Sequence, residues 1–378
     1  MINFTDYYIL ESNGNAEYNN ASIGDIAEGL FASAIAAQFI NRGAGINEKD
    51  IYAVLNKVMK SPSKQIKYSI SDSKVKGIKD TLTCKINVPA LAAEVLKDIK
   101  TYKDKDLLKL NIKNIVSFVN GDRRTILQSK TFSSNGNSDS IDVIADGVGD
   151  QKGTKVDVFV IYNGKKTKGS VSLKASSNRI QNFDRGPVFD FDTHVGLLYK
   201  NLLNLPVPKI KKEYDRILKT YKDAAANGTY KDRKDPALDA AKLSIVEAIS
   251  MVSHNIADDL NEALKKKSYK EFLVDMIQNA ATKKDNSVSI LDITSMKRLR
   301  FGDSFKKSII NKSFSSEVLL GKSGGPDKVI IKADGEAVIQ LRPVIQTNIN
   351  KKTGKVKPRV IWTMETLKGL NKYARSKN

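Results

Sequence analysis

The chain has 378 residues, with 63 Lys plus Arg against 42 Asp plus Glu, a formal net charge of +21. At 40% hydrophobic residues it carries enough apolar material for a core, which excludes a wholly disordered chain. The length fits one large domain or two to three smaller ones, and the positive excess points to a polyanion partner, nucleic acid first and an anionic membrane surface second.

A single cysteine, Cys84, rules out an intrachain disulfide and fits a reducing, cytoplasmic compartment. Two histidines, His194 and His254, are too few for a Cys/His zinc site and read as packing or capping residues. Met1 to Leu10 has Asp6 and no basic residue, so it does not read as a signal peptide. The apolar run from Ile26 to Ile40 is broken by Glu28 and Gln38 and reads as too short and too polar to span a bilayer. No membrane partner is expected.

The charge is unevenly spread. Residues 1–60 hold 4 basic and 7 acidic residues, whereas 341–378 hold 10 basic and 1 acidic. Arg342, Lys351, Lys352, Lys355, Lys357 and Arg359 open that basic end. With Lys297, Arg298 and Arg300, which neighbour the aromatic Phe301, they are the candidate phosphate contacts.

In chain order, Ser22 to Ile40 predicts a helix, with Ile23, Ile26, Ala27, Leu30, Ala34 and Ala37 at helical spacing and Asn41-Arg42-Gly43 as its stop. A second helix is expected over Glu48 to Lys60, stopped by Ser61-Pro62. Lys64 to Asn87 reads as strand or loop, and Pro89 to Tyr102 as helix. Thr125 to Ser134 and Ile141 to Ala145 read as strands around the loop signal Asn135-Gly136-Asn137-Ser138. Val156 to Tyr162, the turn signal Asn163-Gly164 and Gly169 to Ala175 predict a hairpin. Helices follow over His194–Leu203, Lys209–Ala226, Ala237–Lys267 with a break near Ser253, Tyr269–Thr282, Ile290–Arg300 and Ser304–Ile310. Val318–Leu320, Lys328–Ala333, Ala337–Pro343 and Arg359–Met364 read as strands. Strands flanking a helical block predict an α/β fold with a mixed central sheet and a large helical insertion.

The hairpin carries the chemistry. Alternation along its second strand puts Ser170, Ser172 and Lys174 on one face, near enough for a carboxylate of the first strand to meet the lysine. Carboxylates hold Mg²⁺ through hard oxygen ligands, and a lysine beside them offsets charge on a reacting phosphate. Lys155-Val156-Asp157-Val158, the hairpin, and Ser172-Leu173-Lys174 resemble the PD-(D/E)xK restriction-endonuclease-like superfamily. The resemblance implies Asp157 as metal-binding acid and Lys174 as catalytic lysine. Glu28, in Gly24-Asp25-Ile26-Ala27-Glu28-Gly29-Leu30, matches the acid that the superfamily often places on its first core helix.

A restriction-endonuclease-like sheet then implies a nuclease core of residues 1–190 and 313–378 around a helical insertion at 191–312, closed by the strands at 338–342 and 360–365. It implies a DNA endonuclease using Mg²⁺ (or Mn²⁺), with Asp157, Glu28 and the Leu173 carbonyl as metal ligands, Ser172 close by, and a homodimer as an allowed assembly. The sequence departs from the superfamily at Ser172, where Glu or Asp is usual. Either Glu28 supplies the second carboxylate, with Asp142, Asp146 and Asp150 as further sources, or the protein binds nucleic acid without cutting it. A basic scaffold protein with no nucleic-acid contact is the third reading. Gly321-Lys322-Ser323-Gly324-Gly325 lacks the earlier glycine of a phosphate loop and reads as a turn.

Overall fold

The computed structural model describes residues 22–41, 44–71, 79–121, 139–146, 156–167, 169–175, 179–230, 235–283, 288–293, 297–350 and 352–374. Its helices are α1 (Ile23–Ile40), α2 (Glu48–Lys60), α3 (Ala90–Lys97), α4 (Lys105–Gly121), α5 (Lys211–Asn227), α6 (Pro236–Ala263), α7 (Lys267–Thr282), α8 (Asp303–Ile309) and α9 (Asn371–Ala374). Its strands are β1 (Gln65–Ser71), β2 (Lys79–Ile86), β3 (Ser140–Ala145), β4 (Val158–Tyr162), β5 (Lys165–Lys166), β6 (Val171–Lys174), β7 (Arg179–Pro187), β8 (Ser289–Asp292), β9 (Lys297–Arg300), β10 (Phe314–Leu319), β11 (Lys328–Ala333), β12 (Glu336–Ile349) and β13 (Val356–Thr366). Two units divide the chain. One gathers the described residues of Asn3–Ser177 and Ala281–Asp303, the other those of Asn178–Ala280 and Ser304–Ala374.

In the first unit a mixed sheet runs in the order β1-β2-β3-β4-β6-β8-β9, with β5 against β4. The β2/β3 and β6/β8 pairs are parallel and the others antiparallel. Leu82, Cys84 and Ile86 of β2 and Ile141, Val143 and Ala145 of β3 alternate with more exposed residues and join the core that buries α1. The Ser22 hydroxyl caps α1 by accepting from the Gly24 N–H at 3.2 Å. Small residues let α1 pack closely on several sides: a Cβ added at Gly29 would stand 2.7 Å from Leu96 Cδ1. By length and composition α1 would serve as a membrane span, since the helix is longer than the apolar run suggested, yet its residues are buried within this unit. In α2, Asn47 and Asp50 form a capping box, and Ile51, Val54, Leu55, Val58 and Met59 make its buried stripe. The Cys84 thiol is fully buried, which pushes its pKa up to about 12 and leaves it a small apolar residue.

The second unit holds an antiparallel sheet ordered β10-β11-β12-β13-β7. Helix α6 is pinned to it by hydrogen bonds: the Ser316 hydroxyl donates to Ala257 O at 2.6 Å, and Ser316 N–H donates to Asn261 Oδ1 at 2.7 Å. A buried polar chain sits inside this unit. Tyr214 OH donates to Val188 O at 2.6 Å, so it accepts from His194 Nδ1–H at 2.7 Å; Trp362 Nε1–H then donates to His194 Nε2 at 3.3 Å. Every donor finds an acceptor only if His194 is neutral, and burial lowers its pKa to about 3. His194 is thus a packing residue, as the sequence suggested.

The sheets redraw the expected boundaries. The strands at 338–342 and 360–365 do not close the first sheet; they lie in the β12–β13 pair of the second unit. Conversely, β8 and β9 come from the segment expected to be an insertion, yet they extend the first sheet beside β6. The helix expected over Ile290–Arg300 is therefore two strands. Helix α6 runs unbroken through Ser253, whose hydroxyl bonds Ile249 O and Asp327 O instead of opening the helix. The strand expected at Thr125–Ser134 lies outside the described residues.

Candidate active site

Asp157 stands one residue before β4. Asn163 and Gly164 turn that strand through positive φ angles of 46° and 75°, as the turn signal required, but the strand returning at once is the short β5. Strand β6 meets β4 only at Val158↔Val171. Side chains finish the junction. Ser170 Oγ accepts from Val160 N–H at 2.9 Å and lies 3.2 Å from Val160 O. Asp157 Oδ2 accepts from the Leu173 N–H at 2.6 Å and from the Ser172 hydroxyl at 2.9 Å, while Asp157 N–H donates to Val171 O at 3.0 Å.

Ser170 ties two strands together, and Ser172 donates to Asp157 and fixes its carboxylate. Lys174 ends β6, where its carbonyl accepts from Ile293 N–H at 2.8 Å and anchors it to the segment after β8.

Glu28 comes from the first turns of α1. It is 8% exposed, and its Oε2 has no hydrogen-bond partner. Burial, then the charges of Asp157 and Asp25, push its carboxyl up to about 9, with Lys174 pulling the other way. Asp25 lies one turn earlier on the same face of α1, and its pKa is raised by burial and then by Asp157. Residues 25, 28, 157 and 174 thus form one charge-coupled group. Asp25 was not singled out from the sequence as a site residue, although its i, i+3 spacing from Glu28 places the two on one helix face.

Among the described residues no set of three His, Cys, Asp or Glu side chains is arranged to hold a metal ion. A Mg²⁺ site needs less, because this ion is commonly held by one or two carboxylates with water and substrate phosphate completing its shell. The orphaned, buried Glu28 oxygen and its repulsion with Asp157 fit such a site: a cation satisfies the one and relieves the other. Of the alternative acids, Asp146 accepts from Asn87 Nδ2 at 2.7 Å, Asp142 lies within β3 paired to Ile161, and Asp150 lies outside the described residues.

The basic candidates divide. Arg342 Nε lies 2.8 Å from Glu365 Oε1, so its charge is partly met within the protein. Phe301 is fully buried and cannot stack on a base, while the guanidinium of neighbouring Arg298 sits 5.3 Å from the Phe118 ring centre. Lys297 and Arg300 are half-buried on β9. Lys352, Lys355, Lys357 and Arg359 are exposed at the β12–β13 hairpin; Lys351 lies outside the described residues. Lys322 and its neighbours form a turn, as expected of that segment.

Comparison of the chain with protein-family models, with curated proteins and with solved structures finds no match.

Proposed function

We propose that the first unit is a divalent-cation-dependent DNA endonuclease of restriction-endonuclease-like fold, working in the reducing cytoplasm that a lone buried thiol suits. The observation that carries this reading is the convergence of Glu28, Asp157 and Lys174, remote in sequence, on one coupled group in which a buried carboxylate oxygen lacks a partner. These are the positions at which the sequence resembles the PD-(D/E)xK superfamily. Perturbed carboxylates of this kind gather at functional sites.

Asp157 and Glu28, with the Leu173 carbonyl, would hold Mg²⁺ or Mn²⁺. Bound there, the ion supplies Lewis-acid polarisation of a phosphate and an acidified water. Ser172 and the Leu173 N–H hold the Asp157 carboxylate still. Lys174 orients the attacking water and offsets negative charge developing on the phosphate.

A second reading, nucleic-acid binding without cleavage, is favoured by one observation: Ser172 occupies the usual acidic position and is already committed to Asp157. Supercoiled plasmid incubated with the protein and Mg²⁺ separates the two. Nicked or linear product is expected, with Lys174→Ala and Asp157→Asn slowing it by about 10²- to 10³-fold. Intact plasmid would leave the binding reading, and cleavage that survives Lys174→Ala would remove this site.

A further inference from the structure

The β12–β13 hairpin has a face that no part of the catalytic reading uses. Strand β11 accompanies β12 only as far as Val329↔Leu341, whereas β12 and β13 continue paired to Ile349↔Val356. Beyond Leu341 β12 has no neighbour but β13, and β7 borders β13 only as far as Arg359↔Pro187, so from Thr347↔Pro358 to Ile349↔Val356 the hairpin is a two-stranded ribbon. One face of the hairpin is buried through Pro343, Ile345 and Thr347 of β12 and Val356, Pro358, Val360 and Trp362 of β13.

The opposite face carries Gln346 directly across from Arg359 and Asn348 directly across from Lys357. Arg359, Lys357 and Asn348 are exposed and Gln346 is half-buried. The chain has no Asp or Glu between Glu336 and Glu365, so this stretch attracts anions along its whole length. The tip is held rather than loose: Lys355 Nζ donates to Ala226 O at 2.6 Å, and Gly354 O accepts from Tyr230 N–H at 3.0 Å.

Arg and Lys pair with the O6 and N7 acceptors of guanine, and Gln and Asn pair with the N7 acceptor and N6 donor of adenine. The major groove of B-form DNA admits a two-stranded ribbon, whereas that of A-form RNA is too deep and narrow to be read this way. Directly opposed residues on such a ribbon stand about 5 Å apart, close enough to contact neighbouring base pairs.

We propose that this outer face of the hairpin reads base edges in the major groove of duplex DNA, with Lys357 and Asn348 on its two-stranded end, Arg359 and Gln346 at the base of that end, and Lys352 gripping phosphate at the tip. The proposal deepens the nuclease reading, resting on it for DNA as the substrate, and supplies the means of choosing a target.

The test is selection from a randomised pool of duplex DNA by the full chain in EDTA, followed by sequencing and by affinity measurements against salt. Wild type is expected to enrich a defined motif. Arg359→Lys, which keeps the charge and loses the planar fork, and Gln346→Ala should each relax one position of the motif, with about 5- to 100-fold lost discrimination there. Lys352→Ala should weaken all sequences alike and reduce the salt slope by about 1. The proposal is overturned if wild type enriches no motif, if Arg359→Lys and Gln346→Ala both enrich the wild-type motif with undiminished affinity, or if duplex RNA competes as well as DNA. Plasmid cleavage that needs Asp157, alongside unaltered selection by the ribbon variants, would sink the ribbon and leave the nuclease. A motif that changes with the ribbon variants in a protein that never cuts would do the reverse.

Discussion

Glu28 and His194 are both titratable, both buried and both shifted toward their neutral forms, yet their surroundings differ in kind. In the second unit His194 takes a donor on one nitrogen and an acceptor on the other, and the chain Trp362–His194–Tyr214–Val188 closes with nothing left over. In the first unit Glu28 lies on a helix whose other residues are mostly apolar, its Oε2 is unmatched, and its nearest charged influences are largely of its own sign. A closed polar network is an architectural device. An open one is costly to bury.

The sharpest way to break this comparison is to titrate it. Glu28 in the folded protein keeps its proton up to about 9, against 4.5 ordinarily. Between those values the unfolded chain has released a proton that the folded one retains. The stability linked to this group is fully present below 4.5 and is lost as pH rises through about 9. Urea unfolding in EDTA across that range should therefore show stability falling as pH rises, by several kcal/mol at the alkaline end. Glu28→Gln should flatten the slope, and Mg²⁺ should restore stability to wild type at alkaline pH but not to the variant. An unchanged slope in Glu28→Gln would refute the coupling.

The closed network should answer to deletion instead. Trp362→Ala empties a fully buried site and frees a nitrogen of His194, for an expected loss of about 3–5 kcal/mol in denaturant unfolding. Tyr214→Phe is milder. It strands His194 Nδ1–H and Val188 O while keeping the ring, and about 1–3 kcal/mol is expected. A Tyr214→Phe variant as stable as wild type would mean that the chain of hydrogen bonds is ornamental.

Much of this was legible locally. Ser61-Pro62 bounded α2, Lys328–Ala333 was a strand to the residue, and Asp157, Lys174 and Glu28 carried enough local pattern to be singled out. Pairing was not legible. Ile290, Leu291, Ile293 and Leu299 satisfy helical spacing as well as strand spacing, so two short strands looked like a helix. Strand β7 contains Asn, Asp, Gly and Pro, residues that weaken strand propensity; it is tolerated at the edge of its sheet. Helix α4 was missed although Leu108, Ile112, Ile115 and Val119 recur at its spacing. The pull of Ser172 and Leu173 N–H on Asp157 belongs to a three-dimensional junction, and no one-dimensional pattern encodes it.

The parallel pairing of β6 with β8 has a consequence in time. The strand that carries Lys174 borders Ser289–Asp292, and most of the second unit's helical sequence is synthesised between the two. Such a contact is among the most sequence-distant in the protein, and closing it is entropically slow. On the ribosome the lysine strand therefore waits, with one edge unsatisfied, until residue 292 has emerged. A truncated product ending before β8 would carry every acid of the candidate site and still lack the neighbour that holds its lysine in register.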